Sequence, residues 1–428
     1  MKKGFLFVGI AILIFGFTFK KKNSSIQFNL LEAKPIYFNS FVDCNMAEAW
    51  IGDTFRIFPG KYGEDPLWGY SNELKFADGL SPDIVFEKKP NEFIEPIMPK
   101  NVKPSEEGLH GAVWFETIYQ DKKDKTGKTL FALYHNENYP ATYPYRSKNK
   151  KGYINKNWPQ GLTGEKTPAA VCRIGIMKSV DGGKSWNNKG IILEDNQPRM
   201  ILKPHNNAVT FAGGVGDPSA IVSGNYLYIF YGEYGYAGNY DSMTYDANKE
   251  YQGQCISLAR IALDDLESPA GKAYRWDGEK YKTSYDGIGK PIASLQIPMK
   301  EGGGPASKAN TKFYWGPSVS WNNYLQAWVM LMAKSEGTSW KGSSIYISFN
   351  NNKELNESTS QQWSAPKLLV TKSDQIIWYP SLQPVGDKDA KRNKYTCLSM
   401  GQEARLFYKV QTKDTSYYVS EYRLQFSK

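Results

Sequence analysis

Histidine is scarce in this chain: His110, His135 and His205 are the only three in 428 residues. Cysteine is little used. The four residues Cys44, Cys172, Cys255 and Cys397 stand far apart with no Cys-x-x-Cys spacing, which argues against a zinc site. Cys172, Cys255 and Cys397 sit in apolar strand-like runs and read as small core residues; an exported protein could also pair two of the four cysteines, in a connectivity the sequence does not give. Beyond the N-terminus no long segment places apolar residues at i, i+3, i+4 and i+7, so helices are not expected to build the core. The net charge is +10, yet the lysines are scattered through loops. Without a basic stripe or a recognisable module, nucleic acid is excluded as a partner, leaving a solvated basic surface with mild attraction to acidic glycans or membranes. Glu301-Gly302-Gly303-Gly304 lacks a following Gly-Lys-Ser/Thr and is no phosphate loop.

There is one long apolar run. Lys2-Lys3 precede Gly4 to Phe19, and Lys20-Lys21-Lys22-Asn23-Ser24-Ser25 follow. A basic start and an apolar centre make residues 1–25 a signal peptide or an N-terminal signal anchor. The first cysteine is Cys44, too late for a lipobox. An exported protein is expected, periplasmic, at the cell surface or extracellular, with membrane attachment through the N-terminus as one outcome.

Aromatics are plentiful at 14%, with 29 Tyr and 12 Trp, which suits strands and flat binding faces. One phrase recurs three times: a Pro-Ser pair, a short apolar run, a turn and a second aromatic-rich run. It appears as Asp217-Pro218-Ser219-Ala220, Gly316-Pro317-Ser318-Val319 and Tyr379-Pro380-Ser381-Leu382. Each copy reads as a hairpin, and recurrence at four-strand intervals predicts an all-β, five-bladed β-propeller over residues 36–428, with four-stranded antiparallel blades around a central cavity. The blades open near Asp43, His110, Asp217, Pro317 and Pro380. Polar inserts at about 60–105, 138–168 and 235–252 read as rim loops.

Ser179-Val180-Asp181-Gly182-Gly183-Lys184-Ser185-Trp186 fits Ser-x-Asp-x-Gly-x-x-Trp, the Asp-box of sialidases and related propellers. Its expected role is structural, with Ser and Asp capping a hairpin and Trp packed beneath. Trp276 and Trp363-Ser364-Ala365-Pro366 are weaker echoes. With this box and the Gly-Asp-Pro-Ser-Ala opening, the chain resembles the five-bladed propeller glycoside hydrolases: the arabinanase, xylosidase and fructosidase group. A true sialidase needs converging arginines, and only Arg405 is suggestive.

The resemblance implies three carboxylates on inner strands: a base, an orienting group and an acid. Asp43 and Asp217 match the first two by position. The family's acid would open blade four, where Phe313-Tyr314-Trp315-Gly316-Pro317 holds no carboxylate. Glycoside cleavage needs a protonated and an ionised carboxyl together. Glu137, beside His135 and Asn136, is therefore expected to be the acid; Glu233 and Glu301 are further carboxyl candidates. His110, His135, Glu233, Trp315 and Tyr379 are expected to contact sugar, with Tyr314 and Trp378 adding to an aromatic platform. His205 is a weaker cation or water site, and Asp53 reads as a hairpin turn. The expected activity is cleavage of a polysaccharide or oligosaccharide by a monomer that needs no cofactor, with room for a structural calcium ion. The alternative is a lectin-like or protein-binding propeller without chemistry.

Overall fold

The computed structural model describes residues 26–32, 43–65, 69–100, 109, 111–138, 170–194, 211–233, 255–283, 289–303, 312–336, 342–385, 399–412 and 417–428. The expected leader, His110, His205 and Cys397 lie outside the described residues. Among those residues no helix is long and apolar enough to cross a membrane.

The chain is mostly strand. β1 (Gln27–Glu32) precedes a small meander of β2 (Glu48–Ile51), β3 (Thr54–Ile57), β4 (Lys61–Asp65), β5 (Gly69–Asn72) and β6 (Ala77–Gly79), in which β3 pairs with β2 and β6. A short helix, α1 (Pro82–Phe86), follows, with Ser81 Oγ accepting the Ile84 N–H as its cap. The second meander is β7 (Ala112–Gln120), β8 (Leu130–Asn138), β9 (Ala170–Ser179) and β10 (Asn187–Leu193). The third is β11 (Phe211–Ser223), β12 (Tyr226–Glu233), β13 (Cys255–Ala262), β14 (Tyr274–Trp276) and β15 (Tyr281–Lys282). The fourth is β16 (Phe313–Asn322), β17 (Ala327–Ser335), β18 (Ser344–Asn350) and β19 (Lys367–Thr371). In the fifth, β20 (Ile376–Pro384) is followed by β21 (Ser399–Met400), which pairs with β16 instead, then by β22 (Glu403–Gln411) and β23 (Tyr417–Ser427). β1 completes this last meander, pairing with β23 from Gln27↔Ser427 to Glu32↔Tyr422.

Among the described residues the hydrogen-bonded sheets number four, not five. The second and third meanders merge because β9 and β11 pair in parallel at Ala170, Val171 and Cys172. Gly214 permits this approach: its φ is +99, and a Cβ there would lie 2.2 Å from the Cys172 carbonyl oxygen. Four large apolar clusters fill the spaces between successive meanders. Phe58, Phe115 and Trp186 join the first two; Leu133, Ile174 and Ile229 the second and third; Phe230, Met330 and Trp363 the third and fourth; Ile347, Leu382 and Leu406 the fourth and fifth. Phe407 and Val419 of the fifth return to the first cluster.

The first strands of the meanders lie side by side: β2 against β7, β7 against β11, β11 against β16, β16 against β20. Gln383 of β20 donates Nε2 to the Met46 carbonyl beside β2 at 3.4 Å, so the series returns to its start. Hydroxyls link these strands. Thr117 Oγ1 accepts the Ala220 N–H at 3.1 Å, and Ser219 Oγ accepts the Val319 N–H at 2.9 Å. That gives Ser219 a physical role: it satisfies a buried amide of the next inner strand. Each repeat also carries a bulge, at Gly216/Ser219, Trp315/Ser318 and Trp378/Ser381. The residue before each proline is left-handed: Asp217 at φ 47, Gly316 at φ 56 and Tyr379 at φ 47. Proline disfavours the right-handed helical region for its predecessor, and the bulge supplies the turn.

Candidate active site

The site grows from these bulges. Left-handed backbone costs a non-glycine residue about 1–3 kcal/mol and persists where surroundings enforce it. Asp217 and Tyr379 both bear that strain, and they meet: Tyr379 Oη donates to Asp217 Oδ1 at 2.9 Å. Its neighbour Trp378 donates Nε1 to Asp43 Oδ1 at 2.8 Å. One dipeptide of β20 thus holds both aspartates that the sequence assigns to the site. Lys409, opposite Trp378 in β22, donates Nζ to the same Asp43 oxygen at 2.8 Å and lies 4.9 Å from the indole centroid. Burial pulls the Lys409 pKa below its ordinary value, with Asp43 opposing the shift. The Asp43 side chain keeps 29% of its surface in solvent, against 3% for Lys409.

His135, on β8, faces Asp217. The Asp217 N–H points at Nδ1 at 3.0 Å, and Asp217 Oδ1 lies 3.4 Å from the same nitrogen. Burial works against an imidazolium here, but Asp217, then Glu137 and Asp43, outweigh it and raise the His135 pKa. The two protonation states use different partners. A neutral ring accepts the backbone N–H; a ring protonated at Nδ1 turns to the carboxylate.

Glu116 joins this group unannounced by the sequence reading. It is the bulged residue of β7, between Phe115 and Thr117, and is 2% exposed. Its pKa is raised well above the ordinary carboxyl value, by burial first and then by Asp217, with Asp43 adding to them and Asn45 hydrogen bonds opposing. Asn45 donates its N–H to Glu116 Oε2 at 2.8 Å, and its Nδ2 to the carbonyls of Pro218 at 3.4 Å and Pro317 at 3.2 Å. It therefore ties three inner strands together. Cys44, between Asp43 and Asn45, has its thiol pKa pushed up by burial, then by Glu116 and Asp43. One ligand atom each from Glu116, His135 and Asp217 lies within 4.8 Å of the others, a donor set able to hold a metal ion. No local signal in the sequence marks Glu116, an acid inside the largely apolar strand β7.

The remaining expected residues distribute as follows. Glu137 lies two residues beyond His135 on β8, hence on the same face, and is half-buried. Trp315 is buried and packs edge-on against Tyr379 with centroids 5.2 Å apart. Glu233 is 1% exposed and sits in an ion pair with Arg275 Nη2 at 2.5 Å, also accepting the Gly289 N–H at 2.8 Å. Glu301 is exposed on a short helical turn, and Asp53 is exposed in the β2–β3 turn. Cys44, Cys172 and Cys255 are buried and free.

The Asp181 turn is closed by its own polar groups. Asp181 Oδ1 accepts the Ser179 hydroxyl and the N–H groups of Lys184 and Ser185 at 2.7, 3.0 and 2.9 Å. Trp186 donates Nε1 to Gly183 at 3.0 Å and packs edge-on against Phe115. Trp363 repeats the contact, donating Nε1 to Ser360 at 2.9 Å.

No protein-family model matches this sequence, and no curated protein matches it. Among solved structures it is similar to an α-L-arabinofuranosidase from Lactobacillus brevis, at 9% identity and a TM-score of 0.45, covering 89% of this chain and 90% of that one. It is also similar to an N-acetylgalactosamine deacetylase from F. plautii, solved with blood group B trisaccharide, at 11% identity and a TM-score of 0.44 over 93% and 95% of the two chains. A Penicillium chrysogenum α-L-arabinanase complexed with arabinobiose gives 12%, 0.42, 92% and 98%.

Proposed function

We propose that the five meanders form a five-bladed β-propeller and that the protein cleaves a glycosidic bond of a polysaccharide or oligosaccharide at the openings of the inner strands. The observation that carries this reading is the pairing of Asp43 and Asp217 with the adjacent Trp378 and Tyr379. It joins a carboxylate with a solvent-facing surface to a buried one, beside aromatic rings suited to sugar faces. Asp43 acts as base or nucleophile, Asp217 orients, and Glu137 gives its proton to the leaving oxygen. With Asp43 as base, water attacks the anomeric carbon and loses its proton to Asp43, so the charges balance. Glu137 is preferred to Glu116 as acid because it is half-buried, whereas Glu116 is sealed and already accepts from Asn45.

Export rests on residues 1–25 and their basic-then-apolar order, with the protein acting as a monomer outside the cytoplasm or tethered at its surface. A lectin-like propeller is the second reading. It is favoured by Gly316, which stands before its Pro-Ser pair in the left-handed position that Asp217 fills in β11. The test is to incubate the purified protein with plant, bacterial and mycobacterial polysaccharides and assay released sugars, beside Asp43→Asn, Asp217→Asn and Glu137→Gln. Release that the three substitutions abolish supports the glycosidase. Retention on one polysaccharide in an affinity gel without release would replace it with the lectin.

A further inference from the structure

The geometry points to a divalent-cation site at Glu116, His135 and Asp217, and the ion it suits is a first-row transition metal such as Zn²⁺ or Mn²⁺. The site shares Asp217 with the proposed cleavage, but the inference concerns what the chain binds before any substrate arrives. The three side chains come from β7, β8 and β11 and are 2%, 4% and 4% exposed. Their ligand atoms lie within 4.8 Å of one another, the spread expected of groups placed about 2.0–2.4 Å from one central ion.

A second observation is independent of that clustering. Glu116 Oε1 is buried with no hydrogen-bond partner, while the other oxygen, Oε2, is held by the Asn45 N–H. Asn45 Oδ1, on the residue that fixes Glu116, is likewise buried and unpartnered. Two such oxygens beside a buried carboxylate and an imidazole are costly without a compensating positive charge. A proton on Glu116 supplies one charge; a bound cation supplies two and gives the orphaned oxygen a ligand role.

The donor set selects the ion. Carboxylates alone would suit calcium, magnesium or manganese, whereas an imidazole suits zinc, iron and other transition metals, so the mixed set favours Zn²⁺ or Mn²⁺ over Ca²⁺. The site therefore differs in chemistry from the structural calcium for which the sequence leaves room.

The test reads metal, not activity. The full-length protein is stripped with a chelator, dialysed separately against Zn²⁺, Mn²⁺ and Ca²⁺, and its metal content measured by plasma mass spectrometry. Close to one equivalent of Zn²⁺ or Mn²⁺ per chain is expected, with a higher Tm. Titration calorimetry should show Glu116→Gln and His135→Gln each weakening binding beyond the ~10–100-fold typical of losing an outer-shell partner. Glu301→Gln, on the exposed turn, should bind as the parent does. Failure of the parent to retain Zn²⁺ or Mn²⁺, retention of Ca²⁺ alone, or full retention by Glu116→Gln overturns the site. Should the variants not fold, Co²⁺ loaded into the parent must give visible ligand-field bands, and their absence is equally fatal. Sugar release by metal-free protein would sustain the glycosidase while leaving this outcome to the binding data.

Discussion

Tyr379 donates its hydroxyl to Asp217 Oδ1 at 2.9 Å across 162 residues of sequence, from a backbone as strained as that of its partner. The bond orients a buried carboxylate, and its loss should be felt by the reaction more than by the fold. Tyr379→Phe keeps the ring against Trp315 and removes one hydrogen bond to a charged group, worth about 1.5–3 kcal/mol. On the proposed activity kcat/KM should fall about 10–100-fold, with a modest fall in Tm. An unchanged kcat/KM would remove Asp217 orientation from the mechanism.

The repeated serine makes a stability prediction. Ser219 Oγ accepts the Val319 N–H at 2.9 Å, between buried strands that share no ladder. Ser219→Ala leaves that amide without a partner, a cost of about 1–3 kcal/mol. Thr117→Val should behave alike through Ala220, and Thr117→Ser should be mild. Urea midpoints measure all three; wild-type midpoints for both deletions would show that the hydroxyls do not latch the strands.

Glu48 gives the pH dependence. It is 1% exposed, neither oxygen has a hydrogen-bond partner, and burial raises its pKa well above 4.5. The folded state therefore binds a proton that the unfolded state releases above about pH 4.5. Its contribution is fully present below that pH and is lost as pH rises towards the folded pKa, by about 1.4 kcal/mol per unit for one proton. Glu48→Gln should flatten this slope and raise stability at neutral pH. Parallel denaturation curves for parent and variant between pH 4 and 8 would mean Glu48 does not titrate on unfolding.

Much of the strand architecture was legible because it is local. Pro-Ser openings mark three of the meanders, apolar runs and Gly/Asn turns mark their hairpins, and Asp217 stood out because it starts one. The site was harder. Glu116 sits in an apolar strand where nothing local distinguishes a functional acid, and Asn45 acts through carbonyls 173 and 272 residues away. Lys409, between Tyr408 and Val410, is 3% exposed and donates to Asp43, a partner that lies 366 residues away in sequence. The left-handed Tyr379 runs against propensity, which would place glycine there as at Gly316. The merging of two meanders depends on Gly214 meeting Cys172, a contact between segments with no shared pattern.

Asp181 separates fold from chemistry. Its carboxylate takes the Ser179 and Ser185 hydroxyls and two backbone N–H groups within one turn, and burial notwithstanding, these bonds hold its pKa below the ordinary value. Asp181→Ala frees the Lys184 and Ser185 amides and loosens the seat of Trp186, whose ring fills the space between Phe58 and Phe115. The expected cost is about 1–3 kcal/mol. Water reaches part of this turn, so the lower half of that range is the better expectation. Activity or polysaccharide retention per folded molecule should be unchanged, because none of these groups touches Asp43, Asp217 or Tyr379. A variant of parental Tm with lost sugar release would reverse the assignment and make Asp181 functional; lost Tm with retained release confirms a turn that serves only the fold.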